Sequence, residues 1–362
     1  MSPSGEDGGS FCNAKRQDLW YGDEEDTAEN SAELTSTVWL QRLDRSGGLG
    51  VTSPPLGEWI VWLGSGPNLS EDKLMTWNLS LASEIIDQHV PEGYLGGWWL
   101  GGASWIFKHP HGSVLSIDLF LRPYGSPGWV RQVPPPFPPT KMPIGPLLVT
   151  HEHGDHCDLT VLSEMARRDQ VVLLPPSAMA AWQRTGERAG PWRTVGPGRI
   201  ETVGPWTISV FHSGDSTARS AVMYTISAEG VSIFHGGDTL WQDGLFDGIG
   251  EELAPTYALL SVGRPDDVSQ FYLSPREATM AARELGVVRW IPMHWDMWSQ
   301  NSIEQSTLEE TLNQQARSGP GFRIPTHGQF GLFSPGGGDP WSEPAGRVSG
   351  HPHAHAGEGG VR

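Results

Sequence analysis

The residues best equipped for chemistry are crowded into one stretch, "PLLVTHEHGDHCDL" at 146–159. It holds His151, His153, Asp155 and His156, all ligand-type side chains, directly after an apolar run. Residues at i and i+2 just past a strand point to one side of a loop, and the pair 155–156 turns at the start of a helix. A lone histidine at a strand–loop junction is usually structural, but four ligand types packed this densely suit a divalent cation. They exceed what one catalytic ion needs if it is to keep an open position, so the pattern points to two ions a few ångströms apart.

Such a site needs more ligands from elsewhere, and the later sequence offers them in matching settings. His212 ends "WTISVFH", Asp238 follows "VSIFHGG", and His294 ends "VVRWIPMH". Each sits at the C-terminal end of an expected strand, where α/β folds gather active-site groups. Two divalent ions flanking one water lower its pKa from near 15.7 to roughly 7, and the resulting hydroxide attacks an ester, lactone or phosphoester. A ligand set of nitrogen and oxygen without thiolate suits Zn²⁺ or Mn²⁺.

These ligands require a strand-rich scaffold with helices between the strands. "GWWLGGASWIFK" (97–108) and "SVLSIDLFL" (113–121) read as two strands joined at "HPHG". A proline-rich loop spans 122–146, and "LLVT" is a short buried strand. Residues 158–168 read as a helix capped by Asp158. Residues 274–286 read as another, with Ser274 and Glu277 as a capping box, Pro275 in the first turn and Gly286 at the end. Residues 1–35 read as a disordered acidic tail, 36–90 as a mostly helical N-terminal extension, 91–335 as the catalytic domain, and 336–362 as a flexible tail rich in Gly and His.

Composition narrows the function. The chain has 362 residues, 37% hydrophobic, with a net charge of −18. That field repels phosphate backbones and argues against a nucleic-acid partner. With 2 cysteines, no apolar leader and no apolar run of membrane-spanning length, a cytoplasmic, membrane-independent protein without a disulfide framework is expected. The expected partner is a small polar substrate, with an anionic one and a homo-oligomer both compatible.

The unbroken His-x-His-x-Asp-His at 151–156, followed by His212, Asp238 and His294, resembles the metallo-β-lactamase superfamily. That resemblance implies an αββα four-layer sandwich and a binuclear metal-dependent hydrolase. It places His151, His153 and His212 on one ion, and Asp155, His156 and His294 on the other, with Asp238 shared. It also matches Asp118 in "LSIDLF" to an Asp at the end of an early strand, a partner for a ligating His or a strand-end turn residue. Asp118, Asp155 and Asp238 are the implied catalytic carboxylates. Within the superfamily, "GWWLGGASWIFK", "VTHEHGDHCDL", "IFHGGDT" and "VVRWIPMHWDMWSQN" resemble the L-ascorbate-6-phosphate lactonase branch, which tilts the metal towards Mn²⁺. The lactonases would carry a second His where this chain has Trp295.

The same scaffold also hosts iron-dependent tailoring chemistry and RNA-processing nucleases, and the acidic charge disfavours the latter. Arg219, Arg264, Trp295, Asp296, Trp298 and His327 are the candidate substrate contacts. The competing readings are surface pairing for the arginines and core packing for the tryptophans. Cys157 is expected to be a small buried hydrophobe, His235 a structural or supporting histidine, and His109 and His111 solvent-facing turn residues.

Overall fold

The computed structural model describes residues 59–61, 75–77, 79–123, 125, 129–263, 271–315 and 319–342. Within 36–90 it shows two three-residue strands, β1 (Trp59–Val61) and β2 (Met75–Trp77), paired antiparallel, and a helix α1 (Leu79–Asp87). The described part of the extension thus holds both strand and helix. The expected tail at 1–35 and residues 343–362 lie outside the described residues.

Two seven-stranded sheets form the body. The first sheet holds β3 (Leu95–Trp99), β4 (Trp105–Lys108), β5 (Val114–Ile117), β6 (Leu147–Leu148), β7 (Val172–Leu174), β8 (Arg193–Thr194) and β16 (Phe330–Phe333). The second holds β9 (Ile200–Val203), β10 (Trp206–His212), β11 (Val222–Ala228), β12 (Val231–His235), β13 (Tyr257–Ser261), β14 (Arg289–Met293) and β15 (Gly321–Phe322). The order is β16-β3-β4-β5-β6-β7-β8 in the first and β15-β14-β13-β12-β11-β10-β9 in the second. The chain builds most of one sheet, then the other, and returns at β16 to pair with β3.

Strand alternation divides the first sheet's side chains between two layers. Trp99, Trp105, Phe107, Leu115 and Ile117 share one core with Ile208, Tyr224, Ile226 and Ile233 of the second sheet. Trp98, Ile106, Val114 and Leu147 point the other way and meet three helices: α1, α2 (Leu159–Arg167) and α3 (Pro176–Gln183). The helices α4 (Leu245–Leu253), α5 (Pro275–Glu284) and α6 (Gln305–Gln315) bury Phe246, Ile249, Ala281, Leu308 and Leu312 on the second sheet's side. The layer order is therefore αββα. Fully burying each such large apolar side chain contributes roughly 1.5–3 kcal/mol.

Local signals explain the helix ends. The Asp158 carboxylate accepts from Thr160 N at 2.9 Å and starts α2. Ser274 and Glu277 form the expected reciprocal capping box at α5. Other expectations are revised. "GWWLGGASWIFK" is two strands, because Gly101 and Gly102 adopt φ of +95° and +55° and reverse the chain. The next strand stops at Ile117, because Asp118 has a φ of 45°. His109 is buried rather than solvent-facing, and its Nε2 pairs with Glu229 at 2.9 Å. Residues 336–342, expected to begin the flexible tail, pack on β16, where Leu332 N donates to Pro340 O at 2.7 Å and Trp341 meets Phe333 edge-on.

The topology gathers the strand ends that matter. β5, β6 and β7 are parallel, so Asp118 and the 151–156 loop leave the same edge. β12, β13 and β14 are parallel, and β10 shares their direction through two antiparallel steps. The residues after β10, β12 and β14 therefore also share one edge. Among the described residues, no helix is long and apolar enough to cross a membrane.

Candidate metal centre

Six side chains converge where the two edges meet. His151, His153 and Asp238 form one triad, and Asp155, His156 and His294 a second; all are buried. In the first, His151 Nε2 lies 3.0 Å from His153 Nδ1 and 3.9 Å from Asp238 Oδ2. In the second, His156 Nε2 lies 3.1 Å from His294 Nε2, and His294 Nε2 lies 3.4 Å from Asp155 Oδ2. Asp238 links the triads: its Oδ2 is 3.3 Å from His156 Nε2 and its Oδ1 is 3.6 Å from His294 Nε2.

Neighbouring groups fix which nitrogens face inward. Asp118 accepts from Thr150 N at 2.8 Å and from Thr150 Oγ1 at 2.6 Å, and pairs with His156 Nδ1 at 2.8 Å. An ionised carboxylate only accepts, so His156 carries its proton on Nδ1. The Thr150 hydroxyl spends its one proton on Asp118. It therefore accepts from His151 Nδ1, 3.0 Å away. Both rings thus turn Nε2 towards the centre, the arrangement metal-binding histidines use.

The cluster as it stands suits a cation. Facing imidazole nitrogens about 3 Å apart can share at most one proton between each pair. The buried Asp238 Oδ1 and Asp215 Oδ2 find no hydrogen-bond partner. Burial, then the neighbouring His156 and His153, hold the His151 pKa well below the ordinary imidazole value, so it is neutral and able to ligate. Burial also acts to lower His156, but Asp238, Asp155 and Asp118 outweigh it and raise its pKa. Buried carboxylates and imidazoles in this proportion need positive charge beside them.

The structure brings together all the expected ligands but one. His212 ends β10 in register with Val222 and is exposed. It lies outside both triads. Asp215, three residues on, enters instead, with Oδ2 3.9 Å from His151 Nε2. The proposed substrate contacts separate. Trp298 donates from Nε1 to Asp155 Oδ2 at 2.9 Å and so touches the centre directly. Asp296 is occupied by Gly102 N at 3.1 Å and His327 Nε2 at 2.8 Å, tying the β3–β4 turn to residue 327. Trp295 packs against Trp99 at 5.8 Å. Arg219 is exposed and contributes its amide to Glu152 Oε1 at 3.0 Å. Arg264 lies outside the described residues.

His235 is structural: Gly237 N donates to its Nδ1 at 3.2 Å, leaving Nε2 to donate to Ala103 O at 2.9 Å. This pins the turn before Asp238. A Cβ on Gly237, whose φ is +54°, would meet Thr150 at 3.0 Å, so the close approach of the two ligand loops requires glycine. Cys157 is buried, and burial followed by Asp118 and Asp158 pushes its thiol up to about 12. Thr150, Asp215 and Tyr272 escape the sequence reading. Tyr272 stacks on His294 with ring centroids 4.6 Å apart, and nothing in its sequence setting signals this.

A family model described as "Beta-lactamase superfamily domain" matches residues 125–295. A "UPF0173 metal-dependent hydrolase" of Geobacillus thermodenitrificans is 30% identical over 162 residues, covering 41% of this chain and 67% of the relative. Among solved structures, an isothiocyanate hydrolase from Delia radicum gut bacteria superposes with a TM-score of 0.55 at 16% identity, covering 66% of this chain and 99% of that one. CmlA, a diiron β-hydroxylase from Streptomyces venezuelae, superposes with a TM-score of 0.50 at 16% identity, covering 68% of this chain and 55% of that one. At these identities the two structures speak to the fold.

Proposed function

We propose that this chain, which belongs to the metallo-β-lactamase-fold superfamily, is a binuclear metal-dependent hydrolase of a small polar ester, lactone or phosphoester. The observation that carries the reading is Asp238, whose Oδ2 lies 3.9 Å from His151 Nε2 of one buried triad and 3.3 Å from His156 Nε2 of the other. His151, His153 and Asp238 would hold one divalent ion, and Asp155, His156 and His294 the other, with Asp238 shared. Ions bound there supply Lewis acidity and make water a nucleophile near neutral pH.

The protein's own groups prepare that site. Asp118 and Thr150 engage Nδ1 of His156 and His151, which leaves Nε2 of each ring as the atom that would ligate. Trp298 holds Asp155 Oδ2 by a directed N–H bond, which fixes the carboxylate's orientation. Tyr272 keeps its phenol proton, because burial first, and Asp238 and Asp155 next, raise its pKa well above the usual value. The narrower proposal is a lactone, a sugar-phosphate lactone included, supported by the stretches around the ligands that resemble the lactonase branch. Trp295 in place of a histidine counts against carrying over that branch's full specificity.

The test is metal analysis of the purified chain followed by a hydrolysis screen across lactones, esters and phosphoesters, with and without chelator. About two ions per chain and chelator-sensitive hydrolysis are expected. A folded chain that hydrolyses a substrate undiminished after metal removal would refute the reading. A second reading, an iron-dependent oxidation in biosynthesis, draws on the third carboxylate that Asp215 adds beside His151. Iron with a visible absorption band and oxygen consumption, without hydrolysis, would favour it.

A further inference from the structure

We propose that Asp215, and not His212, completes the ligands of the ion held by His151 and His153, giving four imidazoles and three carboxylates in all, a set that favours iron(II) or manganese(II) over zinc. The inference rests on the metal-dependent reading above.

The turn after β10 is built to deliver this carboxylate. Its side chain is wholly buried, at 0% exposure. Asp215 Oδ1 is satisfied within the turn, accepting from Thr217 N at 2.7 Å and from Thr217 Oγ1 at 2.6 Å. Asp215 N donates to Ser213 Oγ at 3.1 Å, and Ser213 Oγ donates to Asp238 O at 2.7 Å. Gly214 N donates to Thr239 Oγ1 at 3.0 Å. The turn is therefore bonded to the segment that carries Asp238. A Cβ on Gly214 would meet Leu240 O at 2.6 Å, so the contact is tight enough to demand glycine.

What remains is Asp215 Oδ2, a buried oxygen with no hydrogen-bond partner. An acceptor stranded in this way is costly unless something positive meets it. It stands 3.9 Å from His151 Nε2, the same separation as Asp238 Oδ2 from that nitrogen. Two ligand atoms each ~2.1 Å from a shared ion can lie up to about 4 Å apart. His212 cannot serve from where it stands, exposed in the last pair of β10 opposite Val222.

Exchanging an imidazole for a carboxylate changes the chemistry of the site. Three carboxylates cancel three of the four positive charges of two divalent ions, where the histidine alternative would cancel only two. Carboxylate is the harder donor and suits manganese, and mixed imidazole–carboxylate sets suit iron(II), whereas an imidazole-richer set moves the site towards zinc.

The discriminating measurement is metal content and identity after loading stripped protein from an equimolar mixture of zinc, manganese and iron(II) under anaerobic conditions. Asp215→Asn retains an oxygen for Thr217, and Asp215→His swaps the donor outright; thermal unfolding checks that each variant is folded. The wild type and His212→Ala should each retain about two ions, Asp215→Asn should lose one, and Asp215→His should shift the bound ratio towards zinc. Two ions retained by Asp215→Asn, or one lost from His212→Ala, overturns this inference alone. A wild type that binds no metal overturns the proposed function as well.

Discussion

Asp118 occupies a left-handed backbone conformation, with φ of 45°, that costs most side chains energy and that aspartate tolerates better than most. The bend turns its carboxylate back onto Thr150 and His156. Asp118→Asn keeps the shape but sets an amide N–H₂ against either the Thr150 backbone N–H or the pair formed by the Thr150 hydroxyl and the His156 Nδ1–H, where only acceptors fit. Metal affinity should fall by about 10–100-fold, read by competition with a chromophoric chelator, with thermal stability little changed. Cys157 gives a second residue-scale expectation. With its thiol pushed up to about 12 and its side chain buried, it is protonated at pH 8. In a Cys12→Ser background, a disulfide reagent should label it only as fast as the chain unfolds; rapid labelling of the native protein would contradict its burial. At this scale the motif 151–156, Asp238 and His294 were legible because each sits at a strand end in a dense ligand pattern. The structure leaves His212 outside both triads, and spacing cannot tell which of the nine residues joining β10 to β11 points inward. The deciding contacts, Gly214 on Leu240 O and Ser213 on Asp238 O, come from distant parts of the chain.

The elements hold these residues through a few directed contacts. Lys108, at the end of β4, donates from Nζ to Ile85 O at 3.0 Å, to Ile86 O and to Gln88 O at 2.8 Å. It thereby satisfies carbonyls at the C-terminal end of α1, which have no partners within the helix. Lys108→Met keeps the buried stem but strands those acceptors, and should destabilise the protein by about 1–3 kcal/mol in urea unfolding. Cleavage by a protease between α1 and β3 should accelerate in the same variant. The caps of α2 and α5 were legible because capping is local chemistry. The break of 97–108 into two strands was not, since an apolar run shows a reversal only through its glycines, and glycine pairs also occur within strands. The parallel pairing of β5 with β6 across the proline-rich loop was likewise hidden, because pairing between remote segments leaves no local mark.

For the whole molecule, a net charge of −18 meets a centre that itself concentrates carboxylates. Bound cations relieve that repulsion and bind only the folded chain. Each site at 100 times its dissociation constant adds about 2.7 kcal/mol of stability. Chelation should therefore lower the melting temperature by several degrees, and manganese or iron(II) should restore it more fully than sodium at equal ionic strength. Melting that does not respond to chelator would argue against a metal held inside the fold. The αββα architecture was accessible from the motif's resemblance. The return of β16 to the first sheet and the packing of 336–342 were not.

The candidate ligands divide across the seam between the sheets. The first sheet's edge supplies Asp118 and residues 151–156, the second's supplies Asp215, Asp238 and His294, and the exposed residues 197–199 join the two halves of the chain. A chain severed in that link would leave neither fragment able to complete a triad, since one holds His151, His153, Asp155 and His156 and the other Asp238 and His294. The second fragment would also carry β16, the edge strand that the first lacks. Reassembly of the two pieces would then be governed by the metal, and the concentration of ion needed to rejoin them would measure how firmly it rivets one sheet to the other.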